Sequence, residues 1–347
     1  MSKVFSPLDE QLGVRETHWS EAIAQQAVWL YAQVEDDLAE QILQKIGGLS
    51  ISDTSIWRCA QKWGEKIRIH GTVQATAASA MSQRGQIVQG RVPHDQRMGV
   101  AMDGAMINIR EEGWKELKVG DVFEIEMRPE VDAETQVLTP QAHAVHNSYT
   151  AVLGGPDRFG RALWGEACRR EFPEAGDGVV IGDGAAWIWN LTREHFSDRR
   201  QIVDWYHAKE HLYAAAHRAF GEGSADAIRW AKEMEKPLYQ GQAWQVVEKL
   251  KSLAQQHRRV AKELRQEAGY FENNQRRMQY LEMRREEGYP IGSGMVESGC
   301  KQFRARFTGA GMRWNRTSAE RIIPTRAAIL SKRFEQAWNS VYNSPPN

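Results

Sequence analysis

Three acidic residues, far apart along the chain, stand in settings that suit metal chemistry. Asp103 lies in VAMDGAM and Asp183 in VVIGDGAAWIWN. Each carboxylate ends or adjoins an apolar run of β type and has a glycine beside it. A lone buried carboxylate is costly unless something positive compensates it. The glycine lets a second backbone or a bulky ligand come close. Two such acids on neighbouring strands can share a divalent cation, because hard oxygen donors suit Mg2+ or Mn2+. Taken singly, each also fits a turn aspartate bonded to its own backbone. The third acid, Glu297, lies in YPIGSGMVESGCKQFRARFTGAGMRWNR, residues 289–316. IGSG leads into a predicted helix whose first turns carry Glu297, with Arg304 two turns on and so on the same face. Lys301, Arg304 and Arg306 make that flank basic. A carboxylate for metal beside guanidinium groups for phosphate suits phosphoryl transfer; a solvated basic helix with an incidental glutamate fits the same letters.

VDWYHAKEHL, residues 203–212, holds a second constellation. HAKEH matches the H-x-x-E-H pattern of zinc peptidases, with His207 and His211 one helical turn apart, but no third ligand can be identified downstream. Alternatively Asp204 and His207 act together, the acid at a strand end and the imidazole one turn on. His207 then contacts a phosphate, the scissile region or a structural partner. A packed histidine is the plain alternative.

The elements that must position these residues form distinct blocks. Residues 1–70 are expected to be helical: Ile23, Ala27, Leu30 and Val34 share one helix face, DDLAEQILQKI stops at Gly47-Gly48, and SDTSIWRCAQKWG restarts with Ile56, Ala60, Trp63 and Ile67 in a stripe. Ser55, Arg58 and Lys62 face elsewhere. A helix, a glycine turn and a polar-faced helix outline a helix-turn-helix that could bind DNA, and equally an ordinary hairpin with a solvated face. Residues 71–99 are expected to be a linker with some helix. From residue 100 three β-type segments, a helix and two further short strands (the last RRQIVDWYH) predict an α/β layer with a mixed sheet. Residues 208–287 are expected to be an all-helical insertion, cut by glycines near 221–223 and 241 and by Pro237. Residues 336–347 are expected to be a tail.

At 347 residues, 41% hydrophobic and 26% charged, the chain is long enough for a core, and no apolar run approaches the roughly 20 residues of a membrane span. MSKVFSPLDE has no apolar stretch of secretory type, and Cys59, Cys168 and Cys300 stand single. A reducing cytoplasm is therefore expected. The zero net charge conceals segregation: ten acids against four bases between residues 103 and 135, but nine bases against two acids between 297 and 333. The second block can attract a polyanion whatever the total.

In order along the chain, MDGA, IGDGAAWIWN, VDWYHAKEHL, GSGMVESGCKQFRAR and TGAGMRW resemble the insertion-sequence transposases with an Asp-Asp-Glu triad. The similarity is to the Kra-type group, related to Mutator-like transposases, and runs from about Pro7, in SPLDEQLGV, to about residue 335. The resemblance implies a ribonuclease-H-like catalytic domain (residues 100–207 and 288–335) interrupted by the helical insertion. It implies Asp103, Asp183 and Glu297 as a triad holding two Mg2+ or Mn2+ ions. Asp204-x-x-His207 matches the lineage's Asp-x-x-His motif, and Glu297-x6-Arg304 its glutamate-to-basic spacing. The stretch after Gly48 sits where many relatives carry a helix-turn-helix. Many members also carry a cysteine-rich segment ahead of the SPLDEQLGV equivalent; none is found here, so a short variant or truncated copy is expected.

The activity so implied is cleavage of DNA at an element's inverted repeats and joining of those ends to target DNA, by a homo-oligomer at the nucleoid with no membrane partner. Lys301, Arg304, Arg306, Arg313 and Arg316 are expected on the DNA backbone. Trp314 is expected either stacked on an unpaired base or in the core. A non-catalytic DNA-binding regulator or a metal-dependent nuclease from a decayed element would use the same residues differently.

Overall fold

The computed structural model describes residues 19–83, 96–131 and 136–342. The chain is α/β, built on a five-stranded mixed sheet. Its strands are β1 (Arg97–Ile109), β2 (Gly113–Val131), β3 (Leu138–Leu153), β4 (Asp177–Gly182) and β5 (Arg200–Val203), in the spatial order β3-β2-β1-β4-β5. The first three form an antiparallel meander, whereas β4 and β5 run parallel to β1. Glu111 and Gly113, both at positive φ, make the tight turn between β1 and β2. Val179, Val180 and Ile181 in β4 are all fully buried, as a parallel strand covered on both faces should be.

Two helices cover the sheet. Helix α4 (Pro156–Arg169) packs where Gly120 of β2 leaves room for Phe159 and Leu163. Helix α10 (Gly294–Phe307) lies on the other face, where Gly299 rests against Tyr149 of β3. Thr150, the neighbour of Tyr149, pairs with Gly120, so successive residues of β3 meet opposite layers. Helix α5 (Ala186–His195) links β4 to β5.

Between β5 and α10 the chain is helical: α6 (Trp205–Phe220), α7 (Ala225–Tyr239), α8 (Ala243–Gln256) and α9 (Ala261–Asn274), then short 3-10 and π turns. Gly221 and Gly241, both at positive φ, sit in the breaks that the sequence suggests. Pro237 does not break anything; it lies inside α7. The expected final strand over residues 199–207 is shorter, because Asp204 ends it and caps α6.

The N-terminal helices are α1 (Glu21–Tyr31), α2 (Asp36–Lys45) and α3 (Asp53–Gln83). Ile56, Ala60, Trp63 and Ile67 are buried, as their spacing predicts. Of residues 71–99, expected as a linker with some helix, residues 71–83 are helical and continue α3, and residues 97–99 already belong to β1; residues 84–95 lie outside the described residues. The Ala-rich stretch has no large apolar stripe because it crosses α4 closely, with Ala75 against Gly165. Gly64 likewise lies close to Arg321 of α11 (Arg316–Leu330). Helix α3 is thus packed into the body of the molecule.

The expected tail is also structured: α12 (Phe334–Tyr342) lays Trp338 and Tyr342 against Trp63, with ring centroids 4.7 and 5.5 Å away. Residues 343–347 lie outside the described residues, as does SPLDEQLGV. No helix among the described residues is long and apolar enough to cross a membrane.

Candidate active site

The parallel pairing of β1, β4 and β5 stops at one level, where β4 and β5 end and β1 runs on beside β2 alone, and an aspartate follows there on each. Met102 is the last residue of β1 paired with β4, opposite Gly182, which is paired in turn with Val203 of β5. The next residues are Asp103, Asp183 and Asp204. The carboxyl ends of parallel strands are where open α/β sheets present ligand-binding groups. The Asp103 carboxylate accepts its neighbour Gly104 N–H at 2.6 Å, and Asp183 Oδ1 accepts Ala185 N–H at 2.8 Å. Burial and the repulsion of Asp103 raise the Asp183 pKa, against the Ala185 amide, His207 and His211.

Asp204 has a different task. It is fully buried, and both oxygens are committed: Oδ1 accepts His207 N–H at 2.8 Å, capping α6, and Oδ2 accepts Ser293 N–H at the start of α10. Trp205 N–H also donates to Ile291 C=O at 2.9 Å. At Gly292, between them, a Cβ would meet the ring of the exposed Tyr206, so a larger residue would need that side chain to shift. This clasp fixes where α10 begins, and so where Glu297, in its first turn, comes to lie. Ser293 Oγ donates to Glu297 Oε1 at 3.3 Å.

His207 stands among the acids. Its Nε2 is 4.0 Å from Glu297 Oε1 and its Nδ1 3.2 Å from Glu210 Oε2. Burial disfavours its charged form, but Asp204, Glu210, Asp183 and Asp103 outweigh that and raise its pKa. Lys301 Nζ is 3.9 Å from Glu297. The Cys300 thiol, one turn from Glu297, lies near Asp103; burial, then the charge of Asp103, push its pKa up.

The structure therefore draws Asp103, Asp183, Glu297, Asp204 and His207 to one end of the sheet. The carboxylates are not closed into a cage: among the described residues no three His, Cys, Asp or Glu side chains meet closely enough to enclose a metal ion. The donor set, three carboxylates of which Asp103 and Asp183 repel one another, with the His207 imidazole beside them, fits hard divalent cations. In HAKEH the two imidazoles are engaged separately, His207 by Glu210 and Glu297, His211 by Glu267 at 2.6 Å.

The basic residues divide. Lys301, Arg304 and Arg313 are exposed, as is Arg58 on α3, while Ser55 and Lys62 are half-buried. Arg306, expected on DNA, is buried instead: Nε donates to Tyr31 C=O at 2.8 Å, and its guanidinium lies over the rings of Tyr31 and Trp314. Trp314 is the core residue of its two expected roles. It bridges to Ile109, takes Arg110 N–H at 2.8 Å and donates Nε1–H to Phe307 C=O at 3.2 Å. Arg316 is half-exposed but clamped by Glu112 through two 2.6 Å bonds. A third neighbour of the site had no signal in the chain: Tyr270 of α9, whose hydroxyl donates to Asp183 C=O at 2.8 Å across 87 positions. Cys300 did have one, its one-turn spacing from Glu297.

No protein-family model matches the chain, and none of the curated proteins matches it.

Proposed function

We propose that the chain is a DNA transposase that cuts at the inverted repeats of its element and joins the ends to target DNA. The observation that carries this reading is the adjacency of Asp103 and Asp183 where the β1–β4 pairing stops, with Glu297 in the first turn of a helix whose start the Asp204 clasp fixes. The strand order, the antiparallel meander and the helix that brings the third acid are compatible with a ribonuclease-H-like layer. On this reading α6 to α9 are an insertion before the last catalytic helix, α1 to α3 hold a helix-turn-helix with Ser55, Arg58 and Lys62 toward DNA, and the chain works at the nucleoid as a homo-oligomer.

Asp103, Asp183 and Glu297 would hold two Mg2+ or Mn2+ ions, which supply an activated water and stabilise the departing 3′ oxygen. Asp204 sets the position of Glu297 without touching the phosphate. His207, 4.0 Å from Glu297 and with its pKa raised by its acidic neighbours, would lie beside the scissile phosphate and offer it a hydrogen bond. Lys301, Arg304 and Arg313 grip the DNA backbone from the exposed side. The freed 3′-hydroxyl then attacks a second phosphodiester in the same site, with no covalent enzyme intermediate.

The test is incubation of the full chain with labelled end DNA, a target plasmid and Mn2+. Joined product is expected. Nicks without joining would make the chain a nuclease, and shifted but intact DNA a regulator; either result overturns the proposal.

A further inference from the structure

Tyr270 does more than fill space behind the strand ends. Asp183 is followed by Gly184 at φ 101°, and a Cβ on that glycine would come within 2.5 Å of Tyr270 Cε2, so the phenol ring lies directly on the turn. Its hydroxyl holds the Asp183 carbonyl at 2.8 Å, while Ala185 N–H is held by the Asp183 carboxylate itself. The ring is also stacked on His211, centroids 3.7 Å apart at 20°. His211 is anchored by Nδ1 to Glu267 Oε2 at 2.6 Å, and the buried Glu267 also binds Arg218. Burial, then the nearby Asp183 charge, raise the Tyr270 pKa, so the phenol remains a donor.

We infer that Tyr270, backed by the His211–Glu267 pair, is a positioning residue that locks the Asp183–Ala185 turn so that the Asp183 carboxylate stays beside Asp103 for metal binding. This rests on the metal site proposed above. A glycine at positive φ moves between backbone wells that other residues avoid, so the turn has alternatives within thermal reach. A turn that moves carries the Asp183 side chain with it. A single well-placed hydrogen bond to the carbonyl, with a ring seated on the glycine, removes those alternatives before a cation arrives. The helical segment between β5 and α10 thereby sets the geometry of a ligand that belongs to the sheet.

The test is Mn2+ binding to the full-length protein without DNA, followed by electron paramagnetic resonance, in wild type, Tyr270→Phe and Glu267→Gln. Asp183→Asn serves as the control that defines the site. Loss of one such hydrogen bond weakens affinity by about fivefold to tenfold. That loss is expected in Tyr270→Phe, with duplex DNA binding and Tm near wild type; a smaller loss is expected in Glu267→Gln. Unchanged Mn2+ affinity in Tyr270→Phe overturns the inference and leaves the proposed function standing. Wild type that binds no more Mn2+ than Asp183→Asn removes the metal site itself, and the inference with it. Should Tyr270→Phe fail to fold, Glu267→Gln decides, and unchanged affinity there overturns the inference.

Discussion

Two groups of buried or half-buried acids sit on this sheet and are treated in opposite ways. On the side of α4, Glu166 meets Arg169 and Arg333 as well as the Ser148 hydroxyl, and Arg170 binds the neighbouring Glu124 at 2.7 Å. Asp121, beside them, receives Ser148 N–H at 2.9 Å, keeps Oδ2 unpartnered, and is pushed by burial up to about 8, so it stays largely protonated at neutral pH. Where the parallel pairing stops, Asp103, Asp183 and Glu297 have as neighbours amides, a hydroxyl, a thiol, an imidazole and one lysine ammonium. The lesson is one of compensation. Acids given guanidinium partners or protons are parts of the frame, whereas acids gathered with little fixed positive charge are prepared for a mobile one.

The largest effect that would break this contrast belongs to Asp183→Asn. Metal-dependent cleavage should fall by at least about a thousandfold, or about 4 kcal/mol of barrier. Tm should hold or rise, because burial and Asp103 oppose the wild-type charge. Equal loss of cleavage and stability would erase the distinction. Glu166→Ala is the counterpart. It strands two guanidinium groups and should cost about 3 kcal/mol in denaturant melts, with the cleavage rate of the folded fraction unchanged.

Asp121→Asn sharpens the contrast through pH. The folded pKa lies above the unfolded one, so its contribution is fully present below about pH 4 and is lost as pH rises toward 8. The variant should therefore flatten the decline in stability between pH 5 and 8, with its greatest advantage over wild type at pH 8, read from denaturant melts at each pH. The smallest effect compares two arginines on one helix. Arg304→Ala should lower the salt slope of duplex binding by about 0.9. Arg306→Ala should leave that slope unchanged in whatever protein remains folded, since its guanidinium is spent on Tyr31 and Asp36.

Arg304 and Arg306 also mark what can be seen in a sequence. Two positions along a helix are about 200° apart, so a basic cluster in the letters divides between solvent and core once the helix has a face. The face of α10 could be read from Glu297, but the rings of Tyr31 and Trp314 that receive Arg306 arrive from elements far away. The strands, the glycine breaks and the stripe of Ile56, Ala60, Trp63 and Ile67 were legible, because periodicity is local. The length of α3 was not, since Ala75 and its neighbours bury small surfaces in a close crossing that no apolar stripe announces. Asp103 and Asp183 were legible as acids out of place beside glycines. Tyr270 was not, because nothing in its own neighbourhood distinguishes a tyrosine that reaches a distant carbonyl from one that does not.

The Trp63, Trp338 and Tyr342 stack has a consequence for how the chain is made. Part of the cover for Trp63 is supplied by residues 334–342, which leave the ribosome some 270 positions later; at 5–20 residues per second the wait is on the order of 15–50 s. For that interval an indole meant for the interior meets water or a chaperone. Segments far apart in synthesis thus complete one another.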